Sequence, residues 1–276
     1  MARLHSKPIN EHYFDLEGRT EDELKRRYYV LGAFYANYAP AGYNGIRFSS
    51  SSGDLVQIVS DELESQHRIG FNEPSSYWIE IHGVPYLRSK LEELGLADDK
   101  SKRKFPGYIP DPYLDHFIRG FFDAQMIPRT NRYTNLVILF NNHFLVRLHH
   151  VLSRRANVKR DKPPGNVLFY AHKDSLRIYQ FIYRDWQFIK KYGLYLQSKK
   201  NSFRIDYRAN YSTSKLKIAS LQKVERAKHL LRQGHKPFRV AKMVGYSRVD
   251  GLSKAFKRIT GKSITSFINW QKRARV

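Results

Sequence analysis

The spacing of apolar residues predicts a succession of short helices and strands over the first two thirds of the chain. Thr20, with Glu23 three positions later, has the pattern of a helix capping box, and apolar residues follow at helical spacing as far as Pro40. Apolar and polar residues then alternate at 46–50 and again at 77–82, which predicts two strands. Helices are predicted after these strands, one beginning at 54 and one over 85–96.

The same order of elements recurs in the residues that follow. The pattern predicts a helix at 112–125, strands at 134–140 and 166–171, and helices at 143–155 and 173–184. A helix, hairpin, helix, hairpin, helix order that occurs twice predicts an internally duplicated molecule with a pseudo-two-fold axis.

A glycine lies near the centre of the first helix of each predicted repeat, at Gly32 and Gly120. Aliphatic and aromatic residues flank each glycine, and Ala followed by an amide comes next, at 36–37 and 124–125. Because glycine has no side chain, two helix backbones can approach closely at such a position. We therefore expect the two repeats to meet at Gly32 and Gly120.

The last quarter of the chain has a different pattern, of short basic helices. A helix is predicted from Leu221, and Pro237 suits the first turn of the next one. Ser247 is the predicted N-cap of a third helix over 248–260, which ends at Gly261. Two short helices about a glycine-containing turn, the second basic on its outer face, predict a helix-turn-helix.

These patterns divide the chain into segments. They are a polar N-terminal arm at 1–19, a duplicated domain at 20–204 with repeats at 20–97 and 111–204, a linker at 205–218 and a helix-turn-helix domain at 219–276.

The charge of the chain restricts its partners. A formal net charge of +24 and a pI near 10.1 indicate a polyanion, with nucleic acid favoured over an acidic membrane surface. From residue 205 onward there are 18 Lys and Arg against 3 Asp and Glu, so the last quarter is densely basic. The sequence contains no run of eighteen apolar residues, so no membrane span is predicted. The N-terminus lacks the apolar core of a signal peptide.

The absence of cysteine excludes disulfides and cysteine-ligated zinc. The eleven histidines show no metal-ligand spacing, since no His-Glu-x-x-His occurs. We therefore expect no metal and no cofactor, and an intracellular protein.

Several motifs of the first three quarters resemble the LAGLIDADG homing endonucleases in their monomeric, two-motif form. The lead-in to the second motif and the end of the second repeat carry the resemblance, at Lys100–Pro106, Ile109–Pro110, Phe117–Asp123 and Gly193–Phe203. The resemblance implies two αββαββα repeats whose sheets form a saddle in the DNA major groove. Outward strand residues would then read bases, and by alternation Arg47, Ser49, Arg132 and Asn135 are the candidates.

The chain departs from that family at the metal-binding position. The resemblance implies an acid as the eighth residue of each motif, and the two acids together hold the divalent metal that cleavage needs. Here the eighth residues are Asn37 and Gln125, which are neutral amides. We therefore expect no catalytic residues and little or no nuclease activity.

The C-terminal segment resembles a single helix-turn-helix of the AraC/XylS regulators. The resemblance lies in Ala227–Lys228, Leu230–Leu231, Val244–Ser247, Leu252–Arg258 and Gly261–Ser263. Two features differ: Ile264 stands where that family has Pro, and only one unit is present. The candidate DNA contacts of this segment are Arg239, Lys242, Arg248, Lys254, Lys257 and Arg258.

Together these features predict an α+β fold, a duplicated αββαββα saddle followed by an all-α helix-turn-helix domain. The expected function is sequence-specific binding of double-stranded DNA by a monomer. The role would be transcriptional regulation in the cytoplasm, at the nucleoid, by promoter occlusion. Two alternatives remain open: a homing endonuclease with residual activity, and an RNA-binding intron maturase.

Overall fold

A computed structural model of the chain describes residues 8–128, 136–159, 165–203 and 212–273. The chain divides into two compact units, residues 1–204 and 205–276. Each unit has its own hydrophobic core. The α+β class is confirmed, because the first unit combines helices with two antiparallel sheets and the described part of the second unit is helical.

The first half of unit one has seven elements and a four-stranded antiparallel sheet of order β1-β2-β4-β3. The elements are α1 (Glu21–Asn37), β1 (Tyr38–Ala41), β2 (Gly45–Ser50), α2 (Gly53–Glu62), β3 (Gly70–Asn72), β4 (Ser76–Ile81) and α3 (Pro85–Glu93). The capping box at Thr20 is confirmed, since Glu23 N donates to Thr20 Oγ1 and Thr20 N donates to Glu23 Oε2. The predicted alternation of β2 is also confirmed, since the apolar side chains of Ile46 and Phe48 are each 1% exposed.

The second half repeats this order as far as the described residues show it. Its elements are α4 (Asp111–Gln125), β5 (Met126–Pro128), β6 (Leu136–Leu139), α5 (Asn142–Arg155), β7 (Val167–Tyr170), α6 (His172–Ile182), α7 (Trp186–Tyr192) and α8 (Gln197–Ser202). The described strands form an antiparallel sheet of order β5-β6-β7. A single 3₁₀ turn at Lys100–Lys102 lies in the connection between the halves.

The two halves meet where α1 and α4 are packed backbone against backbone. A Cβ atom built on Gly32 would lie 1.9 Å from the carbonyl oxygen of Phe117, and one built on Gly120 would lie 1.8 Å from that of Tyr29. In each case the partner carbonyl lies three residues before the other glycine, so the contact has the symmetry of a two-fold axis. No other residue fits at either position without moving a helix.

The N-terminal segment is packed rather than loosely attached, so the prediction of an arm at 1–19 is wrong for the described residues from 8 onward. Tyr13 is 4% exposed and Phe14 is fully buried. The ring of Phe14 lies 5.6 Å from that of Phe34 on α1, and Tyr13 Oη donates to Glu62 Oε2 at 2.7 Å. Two adjacent aromatic side chains bury enough apolar area to hold a segment without regular structure.

The described part of unit two, residues 212–273, is a bundle of four helices. They are α9 (Ser212–Arg232), α10 (Pro237–Met243), α11 (Val249–Thr260) and α12 (Ile264–Arg273). The linker predicted at 205–218 is wrong from 212 onward, where α9 has already begun. The N-cap of α11 is Arg248, not Ser247, and α12 was not predicted.

The core of unit two explains why α12 forms. Ile264 and Phe267 are each 6% exposed, and the Phe267 ring lies 5.3 Å from that of Phe256 on α11. Ser263 Oγ accepts from Ser266 N and caps the helix. No described helix of either unit is long and apolar enough to cross a membrane.

The packing of α1 on α4 generates a stability prediction. Gly32→Ala and Gly120→Ala should each lower the free energy of unfolding of unit one by about 1–3 kcal/mol or more, because the added methyl group overlaps a backbone carbonyl. Gly107→Ala is the matched control, since a Cβ there has open space. Its effect should stay within about 0.5 kcal/mol. Urea denaturation measures all three, and equal midpoints would contradict the close contact.

Candidate nucleic-acid interface

The last residues of α1 and α4 meet around one ammonium group. Lys100 Nζ lies 3.3 Å from Asn37 Oδ1 and 3.2 Å from Gln125 Oε1. Asn37 Nδ2 donates to the carbonyl of Ala124 at 3.3 Å, and Gln125 Nε2 donates to the carbonyl of Leu139 at 2.5 Å. Both amides are thus oriented with their oxygens toward Lys100. We call Asn37, Lys100 and Gln125 the amide–lysine centre.

The connection between the halves holds Lys100 in this place. Asn141 Nδ2 donates to the carbonyls of Lys100 and Arg103, at 3.0 and 2.8 Å. Arg103 is 1% exposed, and its guanidinium donates to the carbonyls of Tyr35 and Tyr38 at the end of α1. The segment that carries the ammonium group is therefore tied to both halves.

The electrostatics of the centre are those of a partly shielded cation. Lys100 as a residue is exposed, but its ammonium end lies between the two amides and 5.3 Å from the ring centroid of Phe140. Burial of that end and the charge of Arg103 lower the pKa of Lys100 to about 8. The group is still mostly protonated at neutral pH.

This arrangement favours an anion over a metal ion. Hard divalent cations bind carboxylate oxygen, whereas the centre offers two neutral amide oxygens that already accept from an ammonium group. The acid nearest in sequence to Gln125, Asp123, is 2% exposed and accepts from Tyr29 Oη at 2.8 Å. Burial raises the pKa of Asp123 to about 7. Within the described residues no group of three or more His, Asp or Glu could hold a metal.

The outer face of the first sheet contains the predicted strand residues. Arg47 and Ser49 both point away from the core, across from Glu80 and Trp78 in the register of β2 and β4. Arg47 Nη1 lies 3.6 Å from Glu80 Oε2, and its guanidinium stacks 4.7 Å from the Trp78 ring. Glu80 and Trp78 thus hold the Arg47 side chain in place. Neither was predicted as part of this surface, although the alternation at 77–82 puts both on one side of their strand.

The outer face of the second sheet cannot be compared at the predicted positions, because Arg132 and Asn135 lie outside the described residues. The described outward residues of this sheet are apolar. By register they are Ile127, Val137, Leu139, Val167 and Phe169, of which Val137 is buried at 1% exposure.

Unit two exposes all six of its predicted contacts. Arg239 and Lys242 lie on α10, Arg248 precedes α11, and Lys254, Lys257 and Arg258 lie on α11. The opposite side of α11 is buried through Leu252, Ala255 and Phe256. The turn between the two helices is stabilised by Gly245, which has a φ of 78°, and by the hydrogen bond from Lys223 Nζ to its carbonyl.

One residue that sequence reasoning missed is Lys100. It lies in the basic run Lys100–Lys104, but spacing alone gives no reason to place one of these lysines between two helix ends that are far apart in sequence. Phe238 was also missed. It is 58% exposed on α10, and its ring lies 4.6 Å from Lys242 Nζ.

Comparison of the chain with protein-family models finds no match, and comparison with curated proteins finds none either.

The amide–lysine centre generates a prediction about metal binding. Asn37→Asp with Gln125→Asp supplies two carboxylates, but Lys100 would pair with them and oppose a divalent cation. Adding Lys100→Met should therefore strengthen metal binding by at least about tenfold relative to the double variant, the equivalent of roughly 1.4 kcal/mol.

Terbium luminescence and competition with Mg²⁺ measure this difference. The unchanged chain should show no saturable signal at this centre, and Lys100→Met alone is the matched control. Equal affinity of the double and triple variants would show that Lys100 does not oppose the metal.

Proposed function

We propose that this protein binds duplex DNA sequence-specifically and regulates transcription, without cutting the DNA. The observation that carries the proposal is the amide–lysine centre, in which Lys100 lies within 3.3 Å of both Asn37 Oδ1 and Gln125 Oε1. In the LAGLIDADG endonucleases that the sequence resembles, two acids would hold metal at these helix ends. Here the two amides take the positions of the acids, and the ammonium group between them keeps a positive charge for phosphate but supplies no hydroxide for cleavage.

The pseudo-two-fold arrangement supports a saddle-like DNA-binding mode. Asn37 is followed directly by β1 and Gln125 by β5, so each sheet begins at the centre. Two twisted antiparallel sheets on either side of one axis suit the two halves of a site read from the major groove. A monomer would then occupy both half-sites, as expected from the internal repeat.

Unit two supports the same proposal through a second type of reading element. In α10 and α11 two short helices flank a glycine turn, and α11 has a buried apolar side and an exposed basic side. This organisation supports a helix-turn-helix, in which the second helix would enter the major groove. Repression by occlusion of a promoter is the simplest consequence of two reading elements on one chain.

Recovery of bound genomic DNA, followed by footprinting, tests the proposal. We expect one asymmetric site of about two helical turns or more, and an affinity that falls linearly with the logarithm of salt concentration. Stronger binding to structured RNA than to duplex DNA would favour the maturase alternative instead. Cleavage of the recovered site with Mg²⁺ or Mn²⁺ that disappears on changing Asn37 or Gln125 would establish a nuclease.

The exposed face of α11 generates a mutational prediction. Arg248→Ala and Lys254→Ala should each weaken binding to the recovered site by about 1–3 kcal/mol where the side chain reads a base, and less on unrelated duplex. Lys190→Ala removes the same charge from an exposed position on α7 and is the matched control. Fluorescence anisotropy measures each affinity. Equal losses on the recovered site and on the unrelated duplex would show that these residues contact phosphates and do not read bases.

The lowered pKa of Lys100 generates a pH prediction. Since the folded-state pKa is about 8, below the ordinary value for lysine, the ammonium group loses its proton as pH rises through that value. Affinity for the recovered site should fall by up to about tenfold between about pH 7 and about pH 9. Lys100→Met should bind more weakly at the lower pH and lose this dependence. If the affinity of Lys100→Met depends on pH as that of the unchanged chain does, Lys100 does not contact a phosphate.

A further inference from the structure

The outer face of the second sheet is apolar throughout its described part. Ile127 pairs with Val137, Val137 pairs with Phe169, and Leu139 pairs with Val167 on this face. Their neighbours Met126, Leu136, Ile138, Leu168 and Tyr170 point the other way, into the core of unit one. Ile127, Leu139 and Phe169 are 37%, 42% and 41% exposed, whereas Val137 between them is 1% exposed. The accessible apolar surface of this face is therefore formed by Ile127, Leu139 and Phe169.

The register of the two sheets relates each of these residues to one in the first half. Tyr38 follows Asn37 and pairs with Phe48, just as Met126 follows Gln125 and pairs with Ile138. The next pairs along are Ala39 with Arg47 and Ile127 with Val137. Val137 therefore occupies the position of Arg47, and Leu139 occupies that of Ser49.

The same comparison extends to the third strand of each sheet. Arg47 pairs with Glu80 on β4, and Val137 pairs with Phe169 on β7. The charged pair of the first half is thus replaced by an apolar pair at equivalent positions. Two faces that share one axis and one centre differ in the chemistry that they can recognise.

We propose that the outer face of β5–β7 recognises the C5-methyl groups of thymine in one half of the DNA site. This inference rests on the proposed function and specifies what its second half reads. Thymine presents the one apolar group that base edges offer in the major groove, and apolar side chains contact it there. A cytosine at the same place lacks this methyl group and presents its polar amino group, which the face would desolvate without a hydrogen-bond partner.

Two observations favour DNA over a protein partner at this face. The face is continuous with the amide–lysine centre, because Gln125 precedes β5 and donates to the carbonyl of Leu139 on β6. The chain carries a net charge of +24, which draws it to a polyanion. A shared axis then places the polar and apolar faces on the two halves of one duplex.

Replacement of thymine by deoxyuridine in the recovered site tests the inference, since it removes only the methyl group. Binding of the full chain should weaken by roughly fourfold for each thymine methyl contacted, from about 0.8 kcal/mol per buried carbon. The loss should arise in one half of the site, and deoxyuridine in the other half should change affinity little.

A variant links that loss to the face. In the double variant Leu139→Ala with Phe169→Ala, the loss of affinity caused by deoxyuridine should be less than half of that in the unchanged chain, when both losses are expressed as logarithms of the affinity ratio. Val146→Ala is the matched control, because Val146 is 42% exposed in the same half but lies on α5. Urea denaturation establishes whether the double variant is folded. If the variant is unfolded, the deoxyuridine experiment with the unchanged chain still decides the inference.

The outcomes separate this inference from the proposed function. Failure to bind any duplex DNA removes the proposed function and the inference together. Specific binding that is indifferent to deoxyuridine in both halves overturns the inference alone. Light scattering that shows a dimer for the unchanged chain and a monomer for the variant, with DNA affinity unaltered, would assign the face to self-association and also overturn it.

Discussion

The contact between the backbones of α1 and α4 is the constraint on which the first unit depends. Gly32 and Gly120 each leave room for a carbonyl of the opposite helix, at a distance that a Cβ would fill. Because the helices cross so closely, their last residues end side by side, and β1 and β5 both start there. The glycines therefore determine the position of the amide–lysine centre as well as the stability of the halves.

The chemistry at that centre follows from the residues that the crossing brings together. Two amides turn their oxygens toward Lys100, and the connecting segment is held by hydrogen bonds from Asn141 and Arg103. Carboxylates in the same place would attract a divalent cation, whereas an ammonium group repels one. In the proposed function, these three side chains account for the binding of a polyanion without its cleavage.

Specificity in the proposed function comes from surfaces that are not equivalent. The first sheet presents Arg47, held by Glu80 and Trp78, while equivalent positions of the second sheet are apolar. Unit two adds an exposed basic face on α11. The two halves share one framework, and in the proposed function the differences between their outward residues would let a single chain recognise an asymmetric site.

The sequence by itself determined the local elements, because their signals are local: the capping box at Thr20, the alternation at 46–50 and the glycine that ends α11. It also identified Gly32, Gly120, Asn37 and Gln125 as positions of interest. Only the tertiary structure placed Lys100 between the amides, packed Phe14 into the core and assigned the two sides of β6. In β6 every residue of Leu136–Leu139 is apolar, so no alternation distinguishes the buried side from the outer one. Such facts depend on contacts between segments distant in the chain, which periodicity does not encode.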